Sequence, residues 1–316
     1  MDWQCTGLRW PEGSDGPALG WRKGARTRVS VLAYGTEFGF RTSGERRCSG
    51  ARGNACPLGA VVPAGSTGGR CPECGRLDRA HSVAADTIPD DPRTYRVYLA
   101  WFGPGMVKVG ITGEERGAAR LREQGAVVFS WLGRGPLMAA RRAEEVLRAA
   151  LGVPDRIPYA RKREVRAALP DPVERAGEVA ELYGKAAALE GGGWPEALER
   201  LPFAAVDHAE VFGLGEAASR TKGAGPGATA RSGPAIPRSG PVRAVAGLVD
   251  GGAVAGRLVA AAGPDLHLDA GPQGLVIVDT RMMTGWTLTA AGAGGAAGVS
   301  VPTVVVGGGA AQDGLF

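Results

Sequence analysis

Four of the chain's five cysteines fall between positions 48 and 74. Cys71-Pro72-Glu73-Cys74 is a CxxC knuckle, a spacing that lets two thiolates grip one tetrahedral metal ion. Cys48 and Cys56 are the nearest source of a second pair, with seven residues between them and fourteen more before Cys71. That half is looser than a standard zinc ribbon, and His81 is a substitute ligand. A redox pair or unrelated thiols are the alternatives. A redox CxxC opens a helix that follows a strand, and Pro57, Gly59, Gly65 and Gly68-Gly69 do not suggest that setting. The expectation is one structural Zn²⁺ on Cys48, Cys56, Cys71 and Cys74, because metal binding would supply the stability that so glycine-rich a stretch cannot draw from a core. Cys5 lies far from this group and reads as a bystander.

A second constellation begins at Arg96. Residues 96–102 and 106–112 flank Gly103-Pro104-Gly105, which reads as a β-hairpin. Centred on Pro104, it sets residue 98 opposite 110 and residue 100 opposite 108. Tyr98, Ala100, Lys108, Gly110 and Thr112 then share one face, and Val97, Leu99, Trp101, Val107, Val109 and Ile111 form the core face. The first face brings a phenol within one diagonal step of an ammonium, beside a glycine, as the floor of a polar pocket would. An ordinary amphipathic hairpin with Tyr98 half-buried is the alternative. Farther on, Leu137, Ala140, Glu144, Leu147 and Leu151 form one helical stripe, whereas Glu145 falls off it with Arg141 and Arg148. An inward carboxylate needs a partner, a proton or a metal. Glu144 is therefore either a divalent-cation ligand or the partner of a nearby arginine such as Arg120.

Tyr98, Lys108-Val109-Gly110, Arg120-Leu121-Arg122-Glu123-Gln124 and Glu144 together resemble the GIY-YIG nuclease superfamily. The run from Tyr98 to Thr112, with Glu123-Gln124-Gly125-Ala126, is more closely similar to an uncharacterised bacterial family, domain of unknown function 2797. That likeness extends over most of residues 48–290, including the upstream cysteines and a C-terminal segment at 247–288. The superfamily resemblance implies a small three-stranded antiparallel sheet flanked by helices, cleaving phosphodiesters with one Mg²⁺ or Mn²⁺. It casts Tyr98 as the first-motif tyrosine, Arg120 as the phosphate contact and Glu144 as the metal-binding glutamate. A cation and a guanidinium would neutralise developing charge while the phenol orients or deprotonates water. Two positions depart from the pattern. Lys108 replaces the second-motif tyrosine, and Gln124 stands where nuclease members often carry histidine. Lys108 can hold phosphate as a cation, and serves as a base only if burial lowers its pKa greatly.

The elements that must position these residues give an α+β fold class. Residues 1–94 read as a β-rich, zinc-ribbon-like region, with strands at 29–34 and 37–41. Residues 95–170 read as the GIY-YIG-like domain, with helices at 114–123, 137–151 and 156–168. A helical segment follows over 171–222. Its first helix is capped by Asp171 and runs from Pro172 to about Leu189, and a shorter one spans Pro195 to Leu201. Residues 223–242 read as a disordered linker, 243–290 as a small β-barrel-like domain, and 291–316 as a Gly/Ala-rich tail. The net charge of +5 is unevenly spread: residues 95–170 hold 14 basic and 7 acidic side chains, which points to DNA or RNA as a partner. The scarcity of lysine beside abundant arginine and alanine also fits a coding bias. Tyr159, Arg161, Lys162 and Arg163 are either a phosphate path or a solvated basic helix. Arg281, Gly285 and Trp286 are a ligand surface or a structural corner, and His208 and His267 are isolated. The N-terminus has no basic stretch followed by an apolar run, and the uncharged run from Met282 to Gln312 is broken by glycines and Pro302. A cytoplasmic protein without a membrane span is expected. The sequence thus predicts a zinc-stabilised, metal-dependent phosphodiester hydrolase acting on nucleic acid. A non-catalytic nucleic-acid or nucleotide-binding protein and a protein-interaction module are the alternatives.

Overall fold

Strand-forming runs occupy both ends of the chain and helices its middle, and this order decides the architecture. The computed structural model describes residues 3–11, 13, 16–80, 91–154, 156–189, 194–215, 241–291 and 298–307. His81, residues 223–240 of the expected linker (223–242) and most of the expected C-terminal tail lie outside them. The chain opens with β1 (Trp3–Arg9), β2 (Ala18–Lys23), β3 (Arg26–Val31) and β4 (Glu37–Ser43). The cysteine-bearing loop and the short helix α1 (Pro72–Arg79) follow. The middle of the chain forms β5 (Thr94–Trp101), β6 (Val107–Gly113), α2 (Ala119–Gln124), β7 (Val128–Pro136), α3 (Leu137–Leu151), α4 (Tyr159–Val165), α5 (Pro172–Ala187), β8 (Glu199–Arg200) and β9 (Val206–Asp207). The C-terminal part adds β10 (Arg243–Val245), β11 (Ala253–Ala262), β12 (Asp265–Asp269), β13 (Leu275–Asp279), α6 (Thr280–Met283), β14 (Thr287–Ala290) and β15 (Thr303–Val305).

The hairpin forms in the expected register, with Tyr98 opposite Gly110 and Ala100 opposite Lys108. The opposite edge of β5 pairs with β7, giving the order β6-β5-β7-β8, with β9 also on β7. Strand β7 is absent from the sequence reading, although Val127-Val128-Phe129 bounded by Gly125 and Gly133 carries a strand signal. One face of this central sheet packs Val97, Leu99, Trp101, Val107 and Val109 beneath α3 and α5. The helix expected over 114–123 is broken. Glu114–Arg116 is a single 3₁₀ turn, and Gly117, at φ +44°, separates it from α2. The helix expected at 156–168 is shorter, with Pro158 at its N-cap, and residues 195–201 form a turn and β8 rather than a helix. Helices α3 and α5 match their expected spans, and the Asp171 carboxylate accepts bonds from the amides of Val173 and Glu174 at 2.9 Å.

The two ends of the chain do not form separate β regions. They interleave in one ten-stranded sheet of order β15-β10-β13-β12-β11-β4-β14-β1-β2-β3. Strand β4 pairs with β11 on one side and β14 on the other. The barrel-like reading of 243–290 is therefore corrected: among the described residues the sheet is open, with β15 and β3 at its edges. The apolar residues that suggested barrel closure are instead covered by the N-terminal strands. Trp10, Leu19 and Phe40 share a core with Leu258, Leu266, Val278 and Trp286.

The two sheets meet at α4. Arg166 and Asp265 form a fully buried pair at 2.7 Å, and Arg163 reaches Asp265 at 2.6 Å and Asp279 at 2.7 Å. Gly125 and Gly263, both at positive φ, touch there backbone to backbone. A Cβ on Gly125 would strike Arg166, and one on Gly263 would crowd Gln124.

Candidate functional site

The cysteine loop is short of apolar residues. Its cluster consists of Cys48, Val62, Cys71 and Cys74, with Ala51, Cys56 and Ala60 packed against them. The Sγ atoms of Cys48, Cys56, Cys71 and Cys74 all lie within 4.8 Å of one another, and those of Cys56 and Cys71 are 4.0 Å apart. Zinc–sulfur bonds of about 2.3 Å place tetrahedral sulfurs about 3.8 Å apart, so a small contraction would close this set around an ion. No disulfide joins any two of the four. The Cys48 sulfur accepts from the amides of Gly50 at 3.4 Å and Cys71 at 3.2 Å, as suits a thiolate ligand. Gly50 has φ +81°, and a Cβ there would run into the carbonyl of Asn54. Cys71 caps α1 and Cys74 lies in its first turn, so the helix start fixes the CxxC pair.

The thiols have divergent environments. The Cys56 thiol is lowered to about 6, chiefly by the Ala60 amide, whereas burial and the neighbouring sulfurs push Cys74 up to about 12. Crowding of sulfurs resists a second thiolate, and a divalent cation removes that resistance. The four residues fit zinc by donor type, number and spacing, and could hold one ion. Arg46 ties the loop to the ten-stranded sheet. Its guanidinium is almost fully buried and donates to the carbonyls of Pro63, Ser66, Arg281 and Thr284 at 2.6–2.9 Å.

On the central sheet Tyr98 and Lys108 share a face, as expected, with the Lys108 Nζ 5.9 Å from the Tyr98 ring centroid. The ring lies over Gly110, where any Cβ would collide with it. The face is less open than the floor of a polar pocket. Tyr98 is 1% exposed in a second core with Ala100, Phe102, Leu121 and Phe129. Its hydroxyl accepts from Gln124 Nε2 at 2.9 Å, and burial raises its pKa, with Gln124 and Arg120 opposing the rise and Glu144 adding to it. Lys162 completes this layer. Its Nζ donates to the Gln124 carbonyl at 3.0 Å and faces the rings of Phe102 and Tyr159 at 3.8 and 4.4 Å. Burial pushes its pKa down to about 6.

The buried line of α3 runs through Leu137, Ala140, Ala143 and Leu147. Glu144 is half-buried at its border, and Glu145 is exposed. Arg120 stands on α2 with its Nη1 3.4 Å from Glu123, a carboxylate held more closely by Arg116 at 2.6 Å. Arg120 also lines a cleft of about 400 Å³ between the central sheet, the cysteine loop and α6. Tyr98, Lys108 and Glu144 do not line that cleft. Tyr159 and Arg281 do, whereas Arg163 is spent on the buried ion pairs. Gly285 is a corner, bonded to Arg47 and Cys5 through its backbone. His208 and His267 are buried, and burial lowers them to about 4 and 3. Arg70, Ser49 and Thr67 also line the cleft and were not singled out from sequence, because nothing local links residues that only the tertiary fold brings together.

The chain matches the model of the family described as a protein of unknown function (DUF2797) over residues 35–288, and it belongs to that family. Comparison with curated proteins and with solved structures gave no match. No helix among the described residues is long and apolar enough to cross a membrane.

Proposed function

We propose that the protein binds nucleic acid through Lys108 and Arg120, at the partly exposed end of the Tyr98 face of its central sheet, with a zinc ion holding the cysteine loop in place. The observation that carries this reading is the convergence of Tyr98, Lys108, Arg120 and Gln124 at one end of the sheet, in the stretch richest in positive charge. Arg120 and Lys108 would meet phosphate oxygens. Tyr98 and Gln124, joined by a hydrogen bond within the fold, would brace that end of the sheet rather than present themselves to the strand. Binding to single-stranded DNA or RNA should then weaken steeply with salt, by about one log unit of affinity per log unit of salt for each phosphate contacted. Lys108→Gln and Arg120→Gln should each reduce that slope by about one. Salt-independent or absent binding contradicts the reading.

A second reading is metal-dependent hydrolysis at the same face, favoured by the fact that Arg120 and Glu144 both act electrostatically on Tyr98. Glu144 would hold the divalent cation, which would supply Lewis-acid stabilisation of the phosphate, and Arg120 would share the negative charge. A Mg²⁺- or Mn²⁺-supported cleavage assay decides it. Glu144→Gln should abolish cleavage and Glu145→Gln should leave it intact. Equal effects of the two substitutions would remove Glu144 from the chemistry.

A further inference from the structure

The cleft beside Arg120 gathers side chains from three parts of the chain that are far apart in sequence. Arg70 comes from the cysteine loop, Arg120 from α2 and Arg281 from α6, against one lining carboxylate among the described residues, Glu123. Among the described lining residues three guanidiniums face one carboxylate, and Asp78 and Asp279, outside the lining, each hold one guanidinium by an edge. Each guanidinium is anchored on one side and retains donors on another. Arg281 uses its Nε–Nη2 edge for Asp279, at 2.9 and 2.6 Å, while its plane lies 4.3 Å over the Tyr159 ring. Its Nη1 donors are on the other edge of the fork. Arg70 gives Nε to the Gly50 carbonyl at 3.0 Å and Nη2 to Asp78 at 3.2 Å. Among the described residues, Arg120 contacts at 3.4 Å a carboxylate that Arg116 already engages through two bonds.

The cleft walls are fixed by close packing. A Cβ on Gly69 would collide with Thr284, so the cysteine loop lies directly against the residues that follow α6. Trp10, at the back, is held by a bond from its Nε1 to the Gly263 carbonyl at 3.0 Å. A volume of about 400 Å³ lies in the range of small-molecule sites and admits a mononucleotide. The donors left on three guanidiniums suit the three terminal oxygens of a phosphate monoester, whereas a carboxylate or an internal phosphodiester offers only two.

We infer that this cleft binds a phosphate monoester of nucleotide size, either a free nucleotide or the phosphorylated end of a strand. Phosphate would sit among Arg70, Arg120 and Arg281, and one wall of the site exists only while the cysteine loop is folded. The inference rests on the nucleic-acid reading only for its choice of a nucleotide as bearer of the phosphate.

Titration calorimetry on the zinc-loaded full chain tests it with adenosine 5′-monophosphate, adenosine, and octathymidylate with and without a 5′-phosphate. The phosphate should strengthen binding of the nucleotide or of the strand at least about tenfold. Arg70→Gln and Arg281→Gln should each weaken that binding at least about fivefold, and Arg76→Gln, on the same helix as Asp78 but outside the cleft, should change it less than about twofold. Arg70 is an exposed loop residue, so its variant remains informative if loss of the Arg281–Asp279 pair impairs folding. A gain confined to the nucleotide identifies a free nucleotide as ligand, and a gain with the phosphorylated strand identifies a strand end. Binding that ignores the phosphate, or that survives both variants, overturns the inference. Salt-dependent strand binding with that outcome leaves the Tyr98-face reading standing. Nucleotide binding through the cleft without any strand binding does the reverse.

Discussion

The cysteine loop and the central sheet are neighbours held by opposite means. Between β4 and β5 the described residues bury one small cluster of thiols, Val62 and two half-buried alanines, joined to the sheet by the buried Arg46 and the carbonyls gathered on it. The central sheet is packed on both faces. Leu99 and Trp101 lie under α3 and α5, and Tyr98 and Phe129 lie in the second core. Metal ligation would therefore be a local, few-atom source of order in this chain, whereas apolar burial is a distributed one. The two should fail under different insults.

The largest separation should come from chelation. A structural zinc site carries on the order of 10 kcal/mol of binding free energy, which here would be folding free energy for the loop. Stripping the ion should erase amide-exchange protection over residues 46–80 while β5 and β7 stay protected. Loss of protection in both regions together would show that they form one cooperative unit. Leu99→Ala strikes the other side. Leu99 is fully buried, so truncation should cost about 3–4 kcal/mol in denaturant unfolding, with a full equivalent of zinc retained.

Acid distinguishes burial from ligation more finely. His267 in β12 is neutral in the folded chain, with its pKa lowered by burial to about 3 from an ordinary 6.5. The unfolded chain takes up the proton first, so stability is full above pH 6.5 and falls as pH drops toward 3. This group should account for about 2 kcal/mol between pH 6.5 and 5. His267→Leu should flatten the profile by that amount, relative to the wild type at matched zinc content. An unchanged slope would mean that the ring is protonated in place. Tyr98→Phe is the mildest perturbation. It leaves Gln124 Nε2 without its acceptor and should cost about 1 kcal/mol without touching the metal site.

The two regions also differed in how much could be read from sequence. Hairpin register, the α3 span and the Asp171 cap follow from turn residues, periodicity and capping chemistry, which act within a few residues. The clustering of the four cysteines was legible because residues able to ligate a metal are few and chemically distinctive, even at irregular spacing. The second core behind Tyr98 was not, because alternation along a strand reveals which residues share a face and not whether another layer covers it. The pairing of β4 with both β11 and β14 was equally hidden, since strand partners more than 200 residues apart leave no local mark. Arg70 and Arg281 became companions of Arg120 only through that pairing.

The claim beneath this contrast is that Cys48, Cys56, Cys71 and Cys74 hold one zinc ion. Elemental analysis of protein purified without added zinc tests it directly, in the wild type and in a Cys71→Ser/Cys74→Ser double variant. About one equivalent in the first and none in the second is the expected result. A wild type without zinc, or a double variant that keeps a full equivalent, would contradict it.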